Sequence, residues 1–366
     1  MILMNGFKEE PPELHNAMLQ ATQRVLKSFW YVLGEEVKQF ENQWSNICGV
    51  NHGIGVGNGM DAIEIALRGL DVGVGDEVIT TPITAFATIL AILRSGATPV
   101  FADIEPNSAL LSIDSVQGCF TKKTKAIVLV HLYGQVRSME DWIAVCKQNN
   151  ILLIEDCAQA HKAKWHGKVA GSFAHAGAYS FYPTKNLGAA GDAGMLVTQS
   201  FSLAKKARQL RNYGQSKPYF HNEIGMNSRL DEIHAAMLSE RVKWLSEFTE
   251  RRQNIAEVYH RNINNPFVKL LARPEEKSSH VYHLFVITCN NRNALQSHLL
   301  GNGIQTLIHY PVPSHKQKAC LEINNLKDLP NSEEHASNCL SLPCHPQMSD
   351  KDVGYVVDSV NTYNEE

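Results

Sequence analysis

Two side chains within residues 151–198 offer chemistry. Asp156 closes the run Ile151-Leu152-Leu153-Ile154-Glu155. Lys185 comes soon after Ala178-Tyr179-Ser180-Phe181-Tyr182 and Pro183, with Gly188, Gly191 and Gly194 behind it. A carboxylate after one strand-like run and a lysine after the next are what pyridoxal phosphate (PLP) needs. The lysine holds the cofactor's aldehyde, and the carboxylate keeps the pyridine nitrogen protonated so that the ring accepts electrons. The phosphate needs donors, best supplied by backbone N–H groups at a helix N-terminus. Singly, Asp156 reads as a helix cap and Lys185 as a solvated loop residue. In this order, with Gln159 and His161 close by, they read as a site.

The elements that must position these groups follow from patterning. Residues 151–154 form a short unbroken apolar run, as does 126–130, which suits strands buried on both faces of a parallel sheet. Residues 76–81 and 99–102 read as further strands, with a helix over 84–93 between them. Ligands of such sheets sit beyond the carboxyl ends of the strands, where Asp156 lies. The turn Gly53-Ile54-Gly55-Val56-Gly57-Asn58-Gly59-Met60 feeds a helix and makes an anion cradle, although it is out of register with G-x-G-x-x-G. Helical spacing recurs over 12–48, 138–148 with Ser138 as N-cap, 200–213, and a long stretch of about 230–262. Residues 281–288 and 304–308 read as strands, 292–300 and 350–361 as helices. The expected fold is α/β, with a large domain over 1–245 and a smaller C-terminal domain over 246–366 joined by the long helix.

EDCAQAH at 155–161, then SFYPTKNLGAAGDAG at 180–194, resembles the signature of the DegT/DnrJ/EryC1/StrS sugar aminotransferases, and the resemblance runs in order over nearly the whole chain. It implies the aspartate-aminotransferase fold, a mixed, mostly parallel sheet flanked by helices, with PLP as cofactor. By resemblance, Lys185 forms the Schiff base, Asp156 meets the pyridine N–H, Gln159 lies near the ring and Ser180 binds phosphate. The Gly59 and Met60 N–H groups also bind phosphate; members often have Ser-Gly-Thr where this chain has Asn58-Gly59-Met60. Asn227 reaches the phosphate of a partner subunit, which implies a homodimer, or else caps the helix after it. An aromatic covers the ring in the segment matching 84–88; many members carry it directly after the Thr, where this chain has Ala85, leaving Phe86 as stacking residue or core. Arg229 meets an anionic group of the substrate or pairs with Asp231. Tyr310, His309 and His315 fall in the turn resembling YP-x-P-x-H near the sugar, and Tyr182 lines or supports the pocket, as does His161. The family's sugar 3-dehydratases carry His where this chain has Lys185.

The implied activity moves an amino group from glutamate to a nucleotide-linked keto-sugar, with a lean towards a dTDP-3-keto-6-deoxyhexose, for polysaccharide or glycoconjugate synthesis. The alternatives are a UDP- or GDP-linked 4-keto-sugar, a non-catalytic regulator on the same scaffold, and a Rossmann-type nucleotide binder using Gly55 to Gly59. Composition narrows the field. The 366 residues carry 34 Lys+Arg against 37 Asp+Glu, net −3, interspersed, so nothing calls for nucleic acid. No stretch approaches the ~18 apolar residues of a membrane helix, and the start lacks a signal-peptide pattern. The eight cysteines include no C-x-x-C pair, which fits reduced thiols of a cytoplasmic protein; Cys339, Cys344 and His345 lack a fourth metal ligand at a recognisable spacing.

Overall fold

The computed structural model describes residues 1–321, 323 and 328–365. Helices α1 (Pro12–Ser28) and α2 (Glu35–Cys48) lead into β1 (His52–Val56) and α3 (Gly59–Gly69). Then come β2 (Glu77–Thr80), α4 (Phe86–Arg94), β3 (Thr98–Phe101), α5 (Ile113–Gln117), β4 (Thr124–Val130), α6 (Met139–Asn149) and β5 (Leu152–Asp156). A small hairpin, β6 (Lys164–Trp165) and β7 (Lys168–Val169), precedes β8 (Ala176–Ser180), β9 (Gly194–Thr198) and α7 (Phe201–Leu210). A second hairpin, β10 (Gln215–Lys217) and β11 (Phe220–His221), leads to α8 (Glu232–Arg241) and α9 (Leu245–Asn262). The C-terminal part holds β12 (Lys269–Leu270), β13 (Phe285–Thr288), α10 (Arg292–Gly301), α11 (Pro330–Asn338), β14 (Cys339–Leu342) and α12 (Asp350–Asn361).

Seven strands form the main sheet in the order β1-β9-β8-β5-β4-β2-β3. The pairs from β8 through β5, β4 and β2 to β3 are parallel, and β9 is antiparallel to both its neighbours. The unbroken apolar runs have their reason here, because both faces are covered. Ala126, Val128 and Ile154 pack towards α3, α4 and α7, while Ile127, Leu129 and Leu153 pack towards α2, α6 and α8. Each fully buried Ile, Leu or Val contributes roughly 1.5–3 kcal/mol relative to exposure, so a register slip of one residue would exchange two packed faces. A three-stranded antiparallel sheet, β12-β13-β14, packs with α9, α10 and α12 through Tyr259, Leu299, Val356 and their neighbours. Among the described residues, no helix is long and apolar enough to cross a membrane.

Several expected elements change. The helical stretch over 12–48 is two helices, because Phe29 takes a left-handed φ of 55° and ends α1. Helix α2 then starts on a remote acceptor. The Glu232 carboxylate, 198 positions from Gly34, accepts from the N–H groups of Gly34 (2.8 Å), Glu36 (2.9 Å) and Val37 (3.0 Å). A Cβ on Gly34 would come within 2.7 Å of a Glu232 carboxylate oxygen, so only glycine leaves it room. The long helix over 230–262 breaks at residues 242–244 into α8 and α9. Ser138 makes no capping bond, since its left-handed φ of 52° is not the extended geometry of a capping residue. The strand over 281–288 begins only at Phe285, because His280 pairs with Gln135 and Val281 donates to Gly134 O instead. Residues 304–308 contribute only single bridges, Ile304 to Ile2 and Leu307 to Ser341.

Candidate active site

The carboxyl ends of β5 and β8 bring the two chemical residues to one edge of the sheet. Asp156 is the last residue of β5 and only 5% exposed. Thr88 Oγ1 donates to Asp156 Oδ2 at 2.8 Å, and Ala158 N donates to Oδ1 at 3.1 Å. With the Thr88 proton so used, Thr84 Oγ1 must donate to Thr88 Oγ1, 3.0 Å away. Burial pushes the Asp156 carboxyl above the usual range, and these donors and the charge of Lys185 pull it back. Lys185 follows β8 in a turn where its own N–H donates to Tyr182 O at 2.8 Å. Burial lowers its ammonium to about 8, against the attraction of Asp156. Near neutral pH an appreciable share of this amine is therefore an unprotonated nucleophile.

The N-terminus of α3 lies against the end of β8. A Cβ on Gly59 would stand 2.7 Å from Ser180 Cβ, and one on Gly194 would stand 2.3 Å from the Asn58 carbonyl carbon. The missing side chains let helix end, strand end and β9 converge. Asn58 caps α3 by accepting from Asp61 N at 2.8 Å. The N–H groups of Gly59 and Met60, in the first turn, have no carbonyl partner inside the helix. With Gly59 packed against Ser180, this first turn offers donors suited to an anion. The Ser228 hydroxyl fixes the approach by accepting from Gly57 N at 3.0 Å. Asn227, next to it, is exposed, and it does not cap α8, whose N-cap is Asp231.

A second layer comes from the C-terminal part. Gln159 accepts from Tyr133 N at 2.6 Å through Oε1 and donates to Tyr310 Oη at 3.2 Å through Nε2. Tyr133 Oη donates to His309 O at 2.6 Å and, with its proton so used, accepts from His335 Nε2 at 2.8 Å. His309 Nδ1 bonds to Ser341 Oγ at 2.8 Å, and burial followed by the charge of Lys185 lowers the ring to about 4. His161 donates to Ser180 O at 2.9 Å and is lowered to about 3 by burial first and Lys185 second. It supports the end of β8 as a neutral ring.

The remaining candidates separate. Tyr182 is 50% exposed at the rim. Arg229 does not pair with Asp231. It donates to Asn212 Oδ1 at 3.1 Å and lies 5.3 Å over the Tyr213 ring, while Asp231 faces His234. His315 is only 3% exposed and turns to Glu333 Oε1 at 3.1 Å, so in this conformation it offers nothing to a ligand through Nε2. Phe86 is partly buried and packs against the cluster of Ile89, Phe101, Cys320 and Leu329. All eight cysteines are buried. Glu155 faces away from this site: His131 Nε2 lies 2.9 Å from Oε2, and Gly171, Phe173 and Ala174 donate their N–H groups to its carboxylate. Sequence reasoning did not single out Thr88 or Tyr133. Only the Thr84-x-x-x-Thr88 spacing gave a signal, two hydroxyls one helical turn apart.

The residues present fit PLP. A buried carboxylate with two donors has lone pairs left for a pyridinium N–H, a part-buried amine of lowered pKa stands near it, and free N–H groups open beside a serine. Residues 12–361 match the DegT/DnrJ/EryC1/StrS aminotransferase family. The chain is 46% identical over 346 residues to the dTDP-3-amino-3,6-dideoxy-alpha-D-galactopyranose transaminase of Aneurinibacillus thermoaerophilus, covering 94% of each chain. It is 41% identical to a pleiotropic regulatory protein of Geobacillus stearothermophilus, covering 98% of this chain and 97% of that one. The crystal structure of DesV from Streptomyces venezuelae, in complex with a ketimine intermediate, superposes with a TM-score of 0.94 at 38% identity, covering 99% of this chain and 97% of that one. With a family match over almost its whole length and the fold to go with it, this chain belongs to the DegT/DnrJ/EryC1/StrS aminotransferases, enzymes that work with pyridoxal phosphate.

Proposed function

We propose that the protein is a cytoplasmic transaminase that takes an amino group from glutamate and places it on a nucleotide-linked keto-sugar, with a dTDP-linked 3-keto-6-deoxyhexose as the preferred substrate. The observation that carries the chemistry is the meeting of Asp156 and Lys185 at the ends of β5 and β8, beside the free first turn of α3. The choice of sugar is supported by the 46% identical relative, named for a dTDP-3-amino-3,6-dideoxyhexose. It is preferred on that ground to a UDP- or GDP-linked 4-keto-sugar. A regulatory role has one observation in its favour, the name of the 41% identical relative, but it leaves the lowered lysine pKa without a purpose.

Each residue then has a task. PLP, when bound, supplies the electron sink for proton removal from the donor and proton return to the acceptor carbon. Lys185 holds the aldehyde between turnovers and, once displaced, carries the proton between the substrate carbon and the cofactor, for which a lowered pKa suits it. Asp156 keeps a proton on the pyridine nitrogen, itself oriented by Thr88 and Ala158 N. The N–H groups of Gly59 and Met60, with Ser180, bind the phosphate. Gln159 links the ring region to Tyr310. Tyr310, His309, Arg229 and Tyr182 face the sugar nucleotide. The exposed Asn227 reaches the phosphate of a second subunit, so the working unit is a homodimer.

The test is the absorption spectrum of purified protein before and after glutamate. The expected result is a visible band of lysine-held cofactor that glutamate converts to the amino form, which a dTDP-linked 3-keto-6-deoxyhexose then reverses. Persistence of the band in glutamate would overturn the donor assignment, and its absence after incubation with PLP would overturn the cofactor reading.

A further inference from the structure

Asn186 follows the reacting lysine directly and is 7% exposed. Its amide bonds twice to the segment that leads into β13. Nδ2 donates to Val281 O at 3.0 Å, and Oδ1 lies 3.2 Å from His283 Nδ1. An amide oxygen only accepts, so His283 carries its proton on Nδ1, which leaves a lone pair on Nε2. No described residue donates to that nitrogen, and His283 is only half-buried. The ring stays neutral, because burial first, then the positive charge of Lys185, with Arg252, His309 and His161 behind, hold its pKa well below the ordinary value. The same segment is tied from the other side: Val136 N donates to Ser279 O at 2.9 Å, and Val281 N to Gly134 O at 3.0 Å. The backbone that carries the ring is thus held from two directions and the ring itself by Asn186, as a recognition group must be.

We propose that Asn186 is a positioning residue and His283 a specificity-determining one: the Asn186 amide locks the imidazole in the Nδ1–H tautomer, so that Nε2 accepts a hydrogen bond from a sugar hydroxyl in the Lys185 cleft. The inference rests on the sugar-transaminase reading and names a contact within it. Glutamate cannot use this group, since its carboxylates are acceptors that a lone pair repels and its amino group is the one transferred at Lys185. A sugar brings hydroxyl donors, and a donor left unpaired in a closed cleft is penalised far more than one left in water.

Both half-reactions can be started from the same PLP-loaded enzyme, one with glutamate and one, in reverse, with a dTDP-linked 3-amino-3,6-dideoxyhexose, each read as loss of the visible band. His283→Phe is expected to slow the sugar half-reaction about ten-fold more than the glutamate half-reaction. His283→Gln, whose amide oxygen still accepts, recovers most of that difference. Nitrogen-15 spectra of the imidazole in the apoprotein add a readout free of turnover: a single Nδ1–H tautomer in the parent protein and a tautomer mixture in Asn186→Ala. Equal slowing of both half-reactions by His283→Phe, or an unchanged tautomer in Asn186→Ala, would overturn the inference while leaving the transaminase intact. A parent enzyme inert to both amino compounds would overturn the functional reading and this inference with it.

Discussion

The floor of the cleft and its roof are held by different kinds of bond. The floor is the carboxyl edge of the main sheet, where Asp156 and Ser180 end strands locked by ladder pairing and by cores on both faces. The roof is the turn around His309 and Tyr310 with the 280–283 segment. It is held by side chains that reach across the sequence, Gln159 to Tyr310 over 151 positions and Tyr133 to His335 over 202. A ladder cannot be altered one bond at a time without disturbing its neighbours, whereas a side-chain bridge can be replaced singly. On the proposed function, the chemistry then sits on the rigid floor and the discrimination between sugars in the roof.

The floor is disabled most directly at Lys185. Lys185→Ala should lower kcat by at least about 10³-fold and abolish the visible band, with the fold retained by circular dichroism. The apoprotein offers a pH test of the same residue. Only the neutral amine attacks an aldehyde, so reconstitution with PLP should accelerate as pH rises through about 8 and level off above it. A rate that keeps climbing past pH 10 would mean an unperturbed lysine.

Asp156→Asn should cost roughly 10²-fold in activity yet leave the apoprotein at least as stable at neutral pH. The sign follows from the raised folded-state pKa. The parent loses stability as pH climbs from the unfolded carboxyl value through the folded one, because the buried group must ionise, and the Asn variant lacks that slope. Parallel melting curves for the two apoproteins across that window would contradict the burial argument. Gln159→Ala cuts the link between floor and roof, and should raise KM for the sugar about ten-fold while changing kcat less. The smallest effect belongs to His315→Ala. With its ring turned to Glu333, turnover should stay within about three-fold, and the loss, about 1 kcal/mol, should appear as a lower melting temperature. A large rise in KM instead would mean that the roof rearranges to present His315.

Legibility in the sequence followed the same division. The place of Asp156 and Lys185 at the sheet edge was readable because each follows a strand-like run whose end marks the ligand edge, whereas Ser180 came from the resemblance alone. Gly59 and Met60 were readable from the glycines that let α3 approach β8. Thr88 was marked only by its spacing from Thr84, and Tyr133 and Asn186 bond to partners that no local spacing announces. His283 lies in a stretch whose alternation suggested a strand, while its backbone neighbours bond to the turn after β4. The helix breaks at 29–34 and 242–244 were missed because apolar spacing continues across them. At Phe29 the chain turns left-handed without a glycine to signal it. For Phe86 and His315 the resemblance fixes a place in the chain, and local packing turns the rings towards the Ile89 cluster and Glu333.

The carboxylate of Glu232 bears on how this chain leaves the ribosome. Helix α2 receives its N-terminal acceptor, and α1 its apolar partners through Ala21, Val25 and Ala236, from a part of the chain made nearly 200 residues later. At ~5–20 residues per second, that interval lasts roughly 10 to 40 seconds. For that time α1 waits with an uncovered apolar stripe, and α2 lacks the acceptor for its first turn. A chaperone that holds nascent helices has its natural window there, and a ribosome stalled before codon 232 would release a fragment prone to aggregate rather than a folded intermediate.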